Sequence, residues 1–117
     1  MRLAVLFGSF ASGRERPESD VDIAIEPTTD LTLADEMELA SALSRAVKRE
    51  VDLVRIDRAD PLLGREIARN GIPIIEERAG AFAAYRARAI AEWIDFDEVV
   101  GPFQRKFLER LARSGAR

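Results

Sequence analysis

The sequence contains no cysteine and no histidine among its 117 residues. The first absence excludes disulfides, thiolate nucleophiles and zinc–sulfur sites. The second removes the commonest general base and the commonest transition-metal ligand. Acid–base or metal chemistry must therefore use Asp and Glu, whose hard oxygens favour cations such as magnesium. Long apolar runs are also missing, so no segment is expected to cross a membrane. The apolar stretch at residues 3–7 is too short for a signal peptide, and a cytoplasmic protein is expected. The net charge of −3 supplies no global field for gripping nucleic acid. What remains suits one soluble domain over 1–117, with 47% hydrophobic residues to build a core and 33% charged residues to keep it in water.

Residues 2–7 form a nearly continuous apolar run that reads as a buried strand, broken by Gly8 and Ser9. A short loop or helical turn follows, through Gly13 to Pro17. Residues 20–25 alternate as Asp, Val, Asp, Ile, Ala, Ile, the pattern of a strand with one apolar and one special face. Thr32 and Asp35 predict a capping box, with Asp in place of the usual Glu. Leu33, Met37, Ala40, Leu43 and Val47 then recur at helical spacing. Residues 51–56 alternate as a third strand. Asp60 and Pro61 open a short helix that Asn70 and Gly71 close. Residues 72–76 form a fourth strand. A helix is expected over about 81–94, a break over 95–102 and a last helix over about 103–112. This order predicts an α/β (α+β) domain. A small mixed sheet flanked by helices would form a core over 1–78, with two C-terminal helices in 79–117.

Group transfer between phosphates asks little covalent chemistry of a protein. It needs held phosphates, divalent cations and an aligned acceptor. Gly8 lets the backbone come close to a phosphate, and the amides of the turn with the Ser9 hydroxyl can donate to phosphate oxygens. Gly13 lets the turn close. Asp20 and Asp22 are two apart on a strand and so share a face, where their charges repel. Nothing in a fold needs that arrangement, and a magnesium ion removes the repulsion. Asp52, near the start of the third strand, joins the same face if that strand lies beside the Asp20–Asp22 strand. It would there align an acceptor hydroxyl or take its proton.

The stretch Gly8-Ser9-Phe10-Ala11-Ser12-Gly13, followed by Ser19-Asp20-Val21-Asp22-Ile23 and then Val51-Asp52-Leu53-Val54, resembles the signature of the polymerase-β-type nucleotidyltransferase superfamily. Within it the chain is most similar to the minimal nucleotidyltransferases. The aromatic and basic C-terminal region resembles the MntA-like antitoxins paired with HEPN-domain toxins. The resemblance implies two magnesium ions held by Asp20, Asp22 and Asp52, and a nucleoside triphosphate held by Gly8, Ser9, Ser12, Gly13 and Ser19. It further implies transfer of AMP from ATP to a tyrosine of a HEPN ribonuclease toxin, which silences the toxin. The family pattern has Arg where this chain has Ser12, which leaves open an antitoxin that acts by occlusion. A small-molecule acceptor is a third alternative. Family members usually carry a helix ahead of the first strand. The strand here starts at Leu3, and its open side is expected to favour self-association or assembly with the toxin.

The remaining features have ordinary readings. Trp93, Phe96 and Phe103 are expected to pack between the last two helices. Tyr85 reads as a half-buried helix residue. The bases Arg105, Lys106, Arg110, Arg113 and Arg117 read as a solvated helix face. Arg55 has no assigned role.

Overall fold

A computed structural model describes residues 1–11, 13 and 20–115. Four strands form one sheet in the order β3-β2-β1-β4, built from β1 (Leu3–Phe7), β2 (Val21–Glu26), β3 (Val51–Arg55) and β4 (Ile72–Glu76). Strand β1 pairs antiparallel with both β2 and β4, whereas β2 and β3 run parallel. A parallel pair needs a crossover, and here α2 (Leu33–Val47) supplies it. The short α1 (Gly8–Ala11) follows β1 directly. A single 3-10 turn (Ile56–Arg58) and α3 (Pro61–Asn70) link β3 to β4. The chain then forms α4 (Ala81–Gly115), a helix of 35 residues.

The capping signals work as written. Thr32 Oγ1 accepts from the Asp35 amide, and Asp35 Oδ2 accepts from the Thr32 amide, both at 3.1 Å. Two orphan amides at the start of α2 are thereby satisfied. Asp60 Oδ1 accepts from the Leu63 amide at 2.8 Å, with Pro61 in the first turn of α3.

Each face of the sheet has its own core. On one side Ala4, Val21, Ile23, Ile25 and Val51 pack against Leu39 and Leu43 of α2. The expected stripe on α2 is rotated: Leu33 and Met37 are 73% and 64% exposed. The half-buried positions are Glu36, Leu39, Ala40, Leu43 and Ser44. Spacing alone did not reveal this face, because its two polar members are not apolar signals. Ser44 Oγ accepts from the Val51 amide at 3.0 Å. Glu36 accepts from Arg55 at 3.3 Å.

Arg55, without a role in the sequence reading, proves to be a tie. Its guanidinium grips Asp57 with two bonds at 3.0 and 2.9 Å and reaches Asp30 at 3.1 Å. Its side chain is only 10% exposed. The Arg55 hydrogen bonds hold the Asp57 carboxyl below its ordinary value. The group joins the end of β3 to the turn before α2, a fork geometry that Arg alone supplies.

On the other side Leu3, Val5, Phe7, Ala24 and Ile56 pack against Ile67 and Ala68 of α3 and against Phe82, Tyr85 and Ala89 of α4. Gly71 is where these layers meet. Its φ of −71° is ordinary, so it does not serve as a left-handed cap. Space is the reason: a Cβ there would run into the Ile67 carbonyl oxygen and Val5 Cγ1, and meet Phe82 Cζ at 3.2 Å. Gly71→Ala should therefore lower stability by roughly 1–3 kcal/mol, the usual range for overpacking. A urea titration followed by circular dichroism checks this.

The C-terminal half departs from expectation. The break over 95–102 is absent, and α4 continues through Pro102. Trp93 and Phe96 lie against each other along one helix, with centroids 5.7 Å apart. Arg65 of α3 covers the Trp93 ring at 4.9 Å. Phe103 has no second helix to pack on and is 74% exposed. Tyr85 is buried, more fully than expected, and burial raises its hydroxyl above the ordinary value, with Glu92 adding to the effect.

Candidate functional site

The site gathers at one end of the sheet, where β1 finishes and β2 and β3 begin. Register decides which side chains meet there. Phe7 stands opposite Asp22 in the antiparallel pair. Asp22 stands opposite Asp52 in the parallel pair. Side chains in register across neighbouring strands share a face, so Phe7, Asp22 and Asp52 form a row on one face. This is the face on which α3 and α4 pack further along, at Val5 and Ala24. Asp20 lies one residue before β2 and is exposed.

Asp22 is the focus of the cluster. It is half-buried beside Phe7, whereas Asp52 and Asp20 are exposed. Burial raises its carboxyl above the ordinary value, and the charges of Asp52 and then Asp20 raise it further. No arginine or lysine among the described residues forms an ion pair with it. A half-buried acid flanked by two like charges is costly to ionise and is a functional-site signal.

The turn after β1 presses against this acid. Gly8 has φ +78°, a conformation that side chains disfavour. A Cβ built on it would overlap Asp22 Oδ2 and stand 3.1 Å from Asp22 Cγ. The backbone of the Gly-Ser turn thus lies in contact with the Asp22 carboxylate. The sequence points to Gly8 for approach to a phosphate and carries no sign of this contact. Both strands carry it, but the register joining them was not legible. Gly13 also has a positive φ, +75°, and no atom of the described residues lies within 4 Å of where its Cβ would stand. Ser12 and Ser19 lie outside the described residues, as does the Ser9 side chain.

The all-oxygen character of the cluster suits a hard cation. Among the described residues, no three acidic side chains form a ready-made metal cage. Magnesium does not require one, because it is commonly held by one or two carboxylates together with waters and substrate phosphates. The acidic row therefore fits magnesium arriving with a nucleotide. A cavity of about 630 Å³, lined by Arg2, Glu26, Thr28, Glu77, Arg78 and Ala81, lies at the opposite end of β1 and β2 and includes none of the acidic row. No described helix is long and apolar enough to cross a membrane.

Residues 1–79 match the family described as Polymerase beta, Nucleotidyltransferase. The chain is 34% identical over 71 residues to the protein adenylyltransferase MntA of Shewanella oneidensis, a match covering 61% of this chain and 51% of that protein. It is 28% identical over 75 residues to the putative protein adenylyltransferase MJ0435 of Methanocaldococcus jannaschii, covering 64% and 81%. The match thus spans about half the length of MntA. In fold it is similar to a toxin–antitoxin structure with AMP-PNP, with a TM-score of 0.82, 23% identity, and coverage of 92% of this chain and 86% of that one. It is also similar to a tri-AMPylated Shewanella oneidensis HEPN toxin in complex with an MNT antitoxin, with a TM-score of 0.75, 21% identity, and coverage of 92% and 82%.

Proposed function

The chain belongs to the polymerase-β nucleotidyltransferase family, and from that premise we propose that it is a magnesium-dependent protein adenylyltransferase that moves AMP from ATP to a tyrosine of a cognate HEPN ribonuclease toxin. One observation carries the reading: the Asp22 carboxylate lies opposite Asp52 in register while the Gly8 turn packs against it. The Gly-Ser bend and the acidic row therefore share one end of the sheet.

Each part then has a task. The amides of the turn opened by Gly8 and Ser9, with Gly13 and the hydroxyls of Ser12 and Ser19, would hold the triphosphate. Asp20 and Asp22, completed by Asp52, would hold two magnesium ions. When bound, magnesium neutralises phosphate charge and polarises the reacting phosphoryl group. Asp52 would align the acceptor hydroxyl and accept its proton. The tyrosine oxygen forms a bond to the α-phosphorus as the bond to the bridging oxygen of pyrophosphate breaks, and pyrophosphate leaves. The likeness in name and sequence to protein adenylyltransferases supports this choice of acceptor class.

The test mixes the purified chain, magnesium, each of the four ribonucleoside triphosphates and the product of the adjacent gene, followed by intact and peptide mass spectrometry. The expected product is the partner carrying an added AMP on tyrosine, formed from ATP. Label on a small molecule would reassign the acceptor. No transfer to anything, combined with toxin neutralisation by the Asp20→Asn/Asp22→Asn chain, would replace enzymatic action by occlusion.

A further inference from the structure

The distal part of α4 is an apolar surface with a charge pattern of its own. At about 1.5 Å per residue, a helix of 35 residues spans roughly 50 Å, matching the longest molecular dimension of 49 Å. The radius of gyration is 17.0 Å, against about 13 Å for a compact domain of this length. The end of the helix therefore overhangs the body.

The stripe that buries Phe82, Tyr85 and Ala89 continues at helical spacing through Trp93, Phe96 and Val100 to Phe103, Phe107 and Leu111. In the overhang it is uncovered: Phe103 is 74% exposed, Phe107 59% and Leu111 50%, with Val99 at 67% and Leu108 at 63% on either side of it. Phe96, Val100, Phe103 and Phe107 follow the 4-3-4 spacing of a helix-pairing seam. At roughly 150–250 Å² per aromatic side chain, and somewhat less per aliphatic one, the exposed parts of Phe103, Phe107 and Leu111 with the half-buried Phe96 and Val100 present on the order of 400 Å². A symmetric pair would bury about 800 Å² of apolar stripe before flanking side chains are counted, close to the roughly 1,000 Å² at which a specific interface begins.

Charge selects the occupant. Residues 89–104 carry Glu92, Asp95, Asp97 and Glu98 and no base. Residues 105–113 carry Arg105, Lys106, Arg110 and Arg113 against the single acid Glu109. The helix dipole accounts for bases near the C-terminus, but it gives no reason for four acids in mid-helix. A parallel copy would set like charges side by side. An antiparallel copy centred near Pro102 sets Arg110 and Arg113 of each chain beside Asp95 and Glu92 of the other.

We propose that the distal half of α4 pairs antiparallel with the same segment of a second copy of this chain. The interface lies outside the acidic row and does not depend on the transferase reading. Sedimentation velocity of the full chain over a concentration series, with light scattering, is the test. A monomer–dimer equilibrium in the micromolar range is expected for an interface of this size. Phe103→Asp/Phe107→Asp should be monomeric while keeping its circular dichroism spectrum, since neither side chain supports the core. Arg110→Glu/Arg113→Glu and Glu92→Lys/Asp95→Lys should each dissociate at least tenfold more readily, and mixing the two should restore dimers as a heterodimer. A monomeric native chain at the highest concentration, an unaffected dimer in the double Asp variant, or failure of the mixed charge variants to pair would each overturn the proposal. Capture of a different protein's helix by a chain that stays monomeric alone belongs to the overturning outcomes.

Discussion

Replacing Asp22 with Asn should remove the proposed nucleotidyl transfer and raise the stability of the metal-free protein. The activity loss should be on the order of 10³-fold or more in kcat, because a polarising cation contributes several kcal/mol at the transition state. Stability moves the other way for a separate reason. The Asp22 carboxyl titrates above its ordinary value of 3.8, first because it is partly buried and then because Asp52 and Asp20 repel its charge. A carboxyl raised in the folded state binds its proton more tightly there than in the unfolded chain. The native protein is therefore favoured below 3.8, and that advantage disappears as pH rises through the elevated value. At neutral pH the ionised Asp22 is a burden on the fold, and the neutral amide is not.

Thermal melts without metal should thus give a higher Tm for Asp22→Asn than for the native chain at neutral pH, with the difference shrinking in acid. Magnesium with a non-hydrolysable ATP analogue should raise the native Tm and leave that of the variant nearly unmoved. A variant that melted lower at neutral pH, or that kept full activity, would show that Asp22 is a structural acid. Stability that rises as function is lost is the pattern expected of a strained site.

Gly8→Ala should abolish activity almost as completely, by at least about 10²-fold, the scale on which misplacement by 1 Å acts. Two effects combine. The left-handed backbone at Gly8 resists any Cβ, and the added methyl would occupy the place of Asp22 Oδ2. Either the turn shifts away from the phosphate path or Asp22 rotates out of the acidic row. Sensitivity should not track size: Gly8→Ser, which adds a hydroxyl able to donate to phosphate, should fare no better than Ala. The loss should appear in kcat and in ATP affinity together, since one displacement disturbs both. Gly13 offers the contrast. Its φ is also positive, but among the described residues a Cβ there meets nothing, so Gly13→Asn, a residue that tolerates the left-handed region, should be the milder change. Equal losses at the two glycines would remove the Gly8–Asp22 contact from the account.

Much of this protein was already decided by local chemistry. Strands β1 to β4 rest on apolar runs and alternation, the starts of α2 and α3 on Thr32, Asp35, Asp60 and Pro61, and the Asp20–Asp22 pair on its odd placement beside apolar neighbours. These are short-range signals, each settled by backbone preference or by like charges set two residues apart. What folding in three dimensions decided was everything that depends on long-range register. The parallel pairing that sets Asp22 against Asp52, the pressure of Gly8 on Asp22, the crowding of Gly71 against Val5 and Phe82 and the reach of Arg55 to Asp30 and Glu36 all join residues distant in the chain. The rotation of α2 belongs here too, because Glu36 and Ser44 face inward only by virtue of partners on β3. So does the continuity of α4. The sequence around Gly101 and Pro102 reads as a stop, but the helix runs through both to Gly115.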